Sequence, residues 1–500
     1  MSRARLVPLL AALAGCTDPT ATTTDAGPST TGDASTPGTT GTTGTTGAPE
    51  PTSEPTGPGS TGSTGEPGFD PPAPVCGNGY LEGDEECDDG NRVDDDACTS
   101  ACTVPCGLAA QVLALAPSAQ SELWAVAVAP APDGGVVVVA RQREITADME
   151  GMQTIGLVRT RVLRYGADLG VAWDRLLDPA DASLAPGGVV VDAAGDAYIA
   201  ATVDGPDLED ILVVKLAADD GAPVWTVTHD GAATMSEDLA QGLALAPDGD
   251  VVVAGRAREL DGDDDVWVRK LAASDGGALW TSTWSGVGNG EFSVDGGGRL
   301  AVAPDGAVYV GAREYVDFNT TEGVLLRFPA GGGKAEWVFS PLADGTDHIH
   351  VAGWVSADKD GNALVSIHRT SGAAPTFWLY KVDPAGEVLW QRDLAYFQDA
   401  GDRWSLDGAA FDAAGNVFVT GNLRVKDKTA QLTYFQSWTA RLDPAGERRC
   451  QIYYTAESMD LVPPSLYAFD AALAGDGTGI VGGQQLQNEE QQLWVGLFRP

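Results

Sequence analysis

Basic residues are scarce in this 500-residue chain: 30 Lys and Arg stand against 71 Asp and Glu, for a net charge of −41. The first 106 residues hold 16 of the acids and 3 of the bases, so the remainder carries 55 acids and 27 bases. A body this acidic repels nucleic acid and anionic lipid headgroups, which argues against both as ligands. Histidine is nearly missing, with His229, His348, His350 and His368 the four in the chain. No Ser-His-Asp order, phosphate-cradling glycine loop or zinc-ligand spacing occurs. Long apolar runs are missing as well. Residues 6–14, after Arg3 and Arg5, are too few to span a bilayer as a helix, and no later run is long enough either. Acids are too numerous for any one pair to stand out as a glycosidase dyad.

What the chain does have is punctuation. A turn dipeptide lies between apolar runs at Asp133-Gly134, Ala194-Gly195, Asp248-Gly249, Asp305-Gly306, Asp360-Gly361, Ala414-Gly415 and Asp476-Gly477. A Trp follows a Gly at Trp173, Trp225, Trp280, Trp337 and Trp390, with Cys450 at the sixth such place. Both signals recur roughly every 52–62 residues, the length of a four-stranded propeller blade with generous loops. Asp-Gly is a strong hairpin signal because both residues tolerate positive φ. In each unit a third strand ends on a basic and an apolar residue, and a second turn leads to the strand that bears the Trp. The expectation is an all-β protein whose residues 107–500 form a seven-bladed β-propeller. Residues 493–498 end on a third strand, and residues 107–115 have the character of a lone fourth strand. Their pairing would complete the seventh blade and remove an open sheet edge.

Composition divides the rest into a leader (1–15), a linker (16–74) and a cysteine-rich module (75–106). The linker is Thr, Gly, Ser and Pro with few acids, too polar to offset chain entropy, and is expected to be a disordered spacer of roughly 40–45 Å. Leu13-Ala14-Gly15-Cys16 resembles a bacterial lipobox. That resemblance implies a signal peptide cleaved before Cys16 and an acylated Cys16 as the sole membrane anchor; an ordinary secretory leader is the alternative. Thr17 lacks the Asp linked to inner-membrane retention, so the expected location is the outer membrane, lipid-anchored. Six cysteines remain: Cys76, Cys87, Cys98, Cys102, Cys106 and Cys450. In an exported chain they suggest disulfides. Five are clustered, so full oxidation needs one of them to reach Cys450. Cys106, which opens the propeller segment, is the natural partner, with Cys76 or Cys87 as alternatives.

Val75-Cys76-Gly77-Asn78-Gly79 and Glu86-Cys87-Asp88-Asp89-Gly90-Asn91 resemble the cysteine-rich repeat of myxobacterial exported proteins over about 30 residues. Asp88, Asp89, Asn91, Asp94 and Asp96 offer hard oxygen ligands in one loop, which makes calcium a candidate; a solvated acidic turn is the alternative. Asp347, His348, His350 and His368 form a weaker metal candidate. The Gly-to-Trp spacing is similar to the tryptophan-docking repeat of quinoprotein propellers, and the whole unit resembles bacterial propeller repeats of exported proteins. Quinone enzymes of that kind typically carry adjacent cysteines, and this chain has none, so no cofactor is expected.

One pattern bears on binding. Arg141 and Arg143, Arg256 and Arg258, Arg313, Arg369 and Arg424 follow the second strand of five units. They are expected to place a basic ring on the face that carries the loops between strands two and three, fit for carboxylates, sulfated sugars or acidic peptides. The competing reading pairs each Arg with a neighbouring acid: Glu237, Asp238, Glu291, Asp347 or Asp402. The functional expectation is a monomeric, non-catalytic envelope protein that recognises a protein or glycan; the alternative is an extracellular carbohydrate-active or quinone-linked enzyme on the same scaffold.

Overall fold

The structure, a computed structural model, describes residues 75–80, residue 90 and residues 106–500 apart from 116–120, 148–152, 180–181, 206–207, 232–236, 259–263, 287–294, 318–319, 342–349, 370–375, 394–403, 428–431, 455–463 and 488–489. Cys16, the linker, Cys87, Cys98, Cys102, the five calcium candidates, Asp347 and His348 lie outside the described residues. Cys76 is disulfide-bonded.

The described strands form seven four-stranded antiparallel sheets. Strands a to d of each blade run outward from the axis. Six blades are continuous in sequence, covering residues 121–177, 184–229, 239–284, 296–339, 350–393 and 404–454. The seventh takes strands a to c from Ser465–Leu473, Gly479–Gln487 and Glu490–Phe498, and its strand d from Leu108–Leu115. Leu108 lies opposite Phe498 and Leu115 opposite Gln492, as the ends of the chain suggested. Successive inner strands pack around a ring, and the last, Ser465–Leu473, packs against the first, Ser121–Pro130. The fold is a closed seven-bladed propeller.

The a–b turns differ from the sequence expectation in one respect. Their glycines have φ between 80° and 90°, but none of the preceding Asp or Ala residues has positive φ. In the first blade Gly134 N–H donates to Ala131 C=O (3.0 Å) and Ala131 N–H to Gly135 C=O (2.8 Å), and the other six blades repeat the pair. This is a type I turn closed by one left-handed residue, so a single glycine suffices. The acids serve the turn in another way, since Asp133, Asp248, Asp305 and Asp476 each accept the amide two residues on.

The Trp on strand d docks on the c–d turn of the next blade. Trp173 donates its indole N–H to Ala218 C=O (2.8 Å), Trp225 to Ala273 (3.1 Å), Trp337 to Pro384 (3.1 Å) and Trp390 to Pro444 (3.0 Å). The ring lies on the turn glycine: a Cβ on Gly221 would sit 2.7 Å from Trp173, and one on Gly446 2.8 Å from Trp390. Cys450 takes the sixth indole place and Cys106, with φ 61°, the matching turn-glycine place; the two are joined by a disulfide. A covalent bond thus replaces indole-on-glycine docking where the chain ends meet.

Gly221→Ala is expected to cost about 2–3 kcal/mol, the left-handed backbone and the indole clash together. Gly249→Ala, with the same backbone but open space around its Cβ, is expected to cost about 1 kcal/mol. Urea unfolding of the two variants checks this; equal losses would remove docking from the account.

The basic residue near the end of strand c belongs to this scaffold. Arg164 bonds Asp133, Lys215 lies 3.0 Å from Asp196, Lys270 bonds Asp248, Arg327 lies 2.7 Å from Asp305 and Lys381 2.9 Å from Asp358. Each ties the c strand to the a–b turn of its own blade. One end of the ring, the turn face, therefore holds the a–b and c–d turns. The opposite end, the loop face, holds the b–c and d–a connections.

Candidate functional site

Sheet register sorts the loop-face arginines into different places. Counting from the first residue of strand b, Arg141, Arg256 and Arg313 share one place, opposite Trp124, Leu239 and Gly296. Arg143, Arg258 and Arg424 share a second place two residues further on. Arg369 falls between the two, one residue out of step, opposite His350. The ring expected from sequence is therefore two partial tiers. The inner tier is polar in every blade, completed by Thr202, His368, Asn422 and Gln484.

Partners separate these side chains further. Arg143 bonds Glu122. Arg256 reaches Glu237 at 2.9 Å, one of the acids foreseen as its partner, and Arg258 reaches Asp264 at 2.6 Å. These three are built into the scaffold. Arg141 and Arg313 make no ion pair among the described residues, and neither does Arg424. Burial, followed by the nearby Arg143, lowers the Arg141 pKa; burial, followed by Arg256, lowers that of Arg313. The guanidinium carbons of Arg141 and Arg143 stand 5.6 and 5.4 Å from the Trp124 ring. The result is an aromatic plate beside two cations, one of them without an ion pair among the described residues and with Glu122 nearby, at the loop-face end of the first blade.

Of the described histidines, His368 stacks on Phe377 (4.0 Å between centroids) and His229 on Trp267 (4.7 Å). Burial and then Arg269 push the His229 pKa down to about 4. Asp210, Asp230 and Asp238 converge on one another at the second blade. Asp238 is already a staple there, accepting the amides of Gly231 and Arg258, and Asp295 repeats it one blade on with Gly286 (2.6 Å) and Tyr315 (2.7 Å).

A second constellation was missed by sequence reasoning. Every inner strand bulges at the same level: between Ala125 and Ala127, Pro186 and Gly188, Ala240 and Gly242, Gly297 and Leu300, Ala352 and Val355, Leu406 and Gly408, and Ala468 and Asp470. A bulge redirects the residues beside it. Just past it, four blades carry Ala127, Gly188, Gly242 and Gly408. The other three carry Arg299, Trp354 and Asp470, and these meet. Arg299 lies over the Trp354 ring at 4.1 Å and 3.8 Å from Asp470, three blades away. Asp470 also accepts the Val128 amide at 2.7 Å. Burial raises its pKa to about 6 against the pull of Arg299.

On the bulge itself, Asp407 accepts from the Ser405 hydroxyl and, at 2.8 Å, from Asn422 Nδ2. Burial nonetheless pushes its carboxyl up to about 7. Beyond this level toward the turn face lies an open pocket of about 350 Å³ walled by Val190, Leu243, Leu300, Ala301 and Val355 among others. The available signal was departure from the repeat: a charge or a Trp where sister units have Gly or Ala.

No protein-family model matches the chain, and no curated protein matches it in sequence. Among solved structures it is similar to a protein of unknown function from Dyadobacter fermentans (10% identity, TM-score 0.44, 79% of this chain and 98% of that one). It is also similar to the β-propeller domain of the Trilobed protease from Pyrococcus furiosus (11%, 0.42, 75% and 93%). A third is the quinohemoprotein alcohol dehydrogenase from Comamonas testosteroni (11%, 0.36, 75% and 76%). Likeness at this level says nothing about what the chain binds.

Proposed function

We propose that this chain is a lipid-anchored protein of the bacterial outer membrane whose propeller recognises a protein or glycan through its loop face, without catalysis. Cys16 would carry the acyl chains, residues 17–74 the spacing, and residues 75–106 a disulfide-rich module with a calcium loop at Asp88, Asp89, Asn91, Asp94 and Asp96. The observation that supports recognition is the pair of half-buried guanidiniums, Arg141 and Arg313, which donate no hydrogen bond and make no ion pair among the described residues, with Glu122 near the first and Asp295 and Asp264 near the second only at longer range. Leaving a desolvated cation unpaired costs stability, and an anionic group on a ligand offsets that cost. A carboxylate or sulfate presented by an acidic peptide or a uronic or sulfated glycan suits the geometry, and Trp124 supplies a stacking plate beside it.

Arg141→Glu with Arg313→Glu is expected to abolish capture of the ligand from an acidic-glycan array or envelope extract, with melting changed by no more than about 2 °C. Arg256→Glu is expected to behave oppositely, losing stability because Glu237 loses its partner and a third carboxylate is set beside Glu237 and Asp264. Unchanged capture by the double variant would overturn the reading. Turnover of a polysaccharide panel by the same preparation would move it to the enzymatic alternative.

A further inference from the structure

We infer that the axis of the propeller is a receptor for a small free carboxylic acid with a compact apolar body, held by Arg299 and seated against Trp354. This site is distinct from the loop-face arginines and stands or falls separately from them.

The argument begins with what Arg299 lacks. Its guanidinium carbon lies over the Trp354 ring, 4.1 Å from the centroid, so the indole covers that side of the cation. Its edge carries N–H donors in a planar fork, yet among the described residues it donates no hydrogen bond, and its one ionic neighbour stands at 3.8 Å. That neighbour, Asp470, is already engaged by the Val128 amide. A guanidinium held over an indole with its N–H donors unused suits one class of ligand, a planar anion that accepts two parallel N–H bonds.

The surroundings narrow the class. Room around the guanidinium comes from glycine: a Cβ on Gly188 would lie 3.9 Å from Arg299 Nη1. Leu300 and Val355, the residues directly after Arg299 and Trp354, wall the cavity of about 350 Å³ together with Val190, Leu243 and Ala301. Charge therefore sits beside an open pocket whose side chains are largely aliphatic. Gln241, on the adjoining blade, makes no hydrogen bond among the described residues, and its Oε1 lies 3.9 Å from where a Cβ on Gly298 would be. Its amide gives a second polar group near the Arg299 backbone. A phosphate monoester would bring more charge than one guanidinium offsets beside Asp470, and a polar sugar would leave most of its hydroxyls against aliphatic side chains. A monocarboxylate with an aromatic or short aliphatic body meets both ends of the site.

The test titrates benzoate into the full-length protein by calorimetry, with benzyl alcohol as the neutral isostere. Benzoate is expected to bind one per chain and benzyl alcohol at least tenfold more weakly. Arg299→Gln is expected to weaken benzoate at least tenfold while leaving benzyl alcohol unchanged. Should Arg299→Gln fail to fold by near-ultraviolet dichroism, Gly188→Leu provides the second arm, since its side chain fills the space before the guanidinium and is expected to abolish benzoate binding. Absence of benzoate heat with the unaltered protein would overturn the inference. So would equal affinity for benzyl alcohol, or benzoate binding that survives both substitutions.

Discussion

Converting both Cys106 and Cys450 to alanine is expected to lower the melting temperature by roughly 5–8 °C, the largest change from any pair of substitutions outside the hydrophobic clusters. The bond joins residues 344 apart, so it encloses nearly the whole propeller. In the chain-entropy account, closing a loop of that length removes about 5–6 kcal/mol of denatured-state freedom. The disulfide also stands where docking is otherwise weakest. The seventh blade has no indole on its strand d, where Ala110 takes the place of Trp173. Its apolar packing on both neighbours is joined by polar ties: Asn422 to Ala468 (2.7 and 2.8 Å), Asp470 to Val128, and Tyr454 to Gln111 (2.7 Å). Loss of the bond should therefore release the seventh blade first. Calorimetry of the double variant, with hydrogen exchange along residues 108–115 and 490–498, reads both effects. An unchanged melting temperature, or exchange that rises evenly around the ring, would refute this role.

Asp407→Asn is expected to stabilise the protein at pH 8 and to leave it nearly unchanged at pH 4. The folded-state pKa of Asp407, about 7, lies above its ordinary value of 3.8, because burial penalises the charged form more than Ser405 and Asn422 favour it. Between those two values the native chain keeps a proton that the unfolded chain has released. Stability therefore declines as pH rises from about 4 to about 7, and the penalty is complete above that. Asparagine keeps an oxygen for Ser405 and Asn422 and carries no charge. The expected gain is on the order of 2–4 kcal/mol at pH 8, toward the lower figure because the residue keeps some exposure. Chemical denaturation of both proteins at pH 4, 6 and 8 gives the difference curve. A flat difference, or a variant less stable at pH 8, would contradict the burial argument.

Much of this architecture was legible because it rests on local chemistry. A turn that needs one left-handed residue selects Gly, so Gly134, Gly195, Gly249, Gly306, Gly361, Gly415 and Gly477 mark the blades in the linear chain. The indole at Trp173 and its counterparts repeats because each must cover the next blade's turn. Even the closure could be read, since one strand was missing at one end and one extra stood at the other. The turn type was misjudged for a physical reason: Asp-Gly suits two hairpin geometries, and only backbone hydrogen bonding distinguishes them.

The loop-face arginines show where linear reading stops. Counting residues placed Arg369 and Arg424 with Arg256, but strand register decides position, and a one-residue slip changes it. Which guanidiniums are neutralised depended on acids from other strands and loops, such as Glu237 for Arg256. Arg299, Trp354 and Asp470 lie 55 and 116 residues apart along the chain. No spacing rule links them. Sequence by itself determined the number of blades, the turns that bound them and the seam, because each depends on residues within one repeat or at the chain ends. Tertiary structure alone decided what meets at the axis, because ring closure brings side chains from separate blades together at a common level.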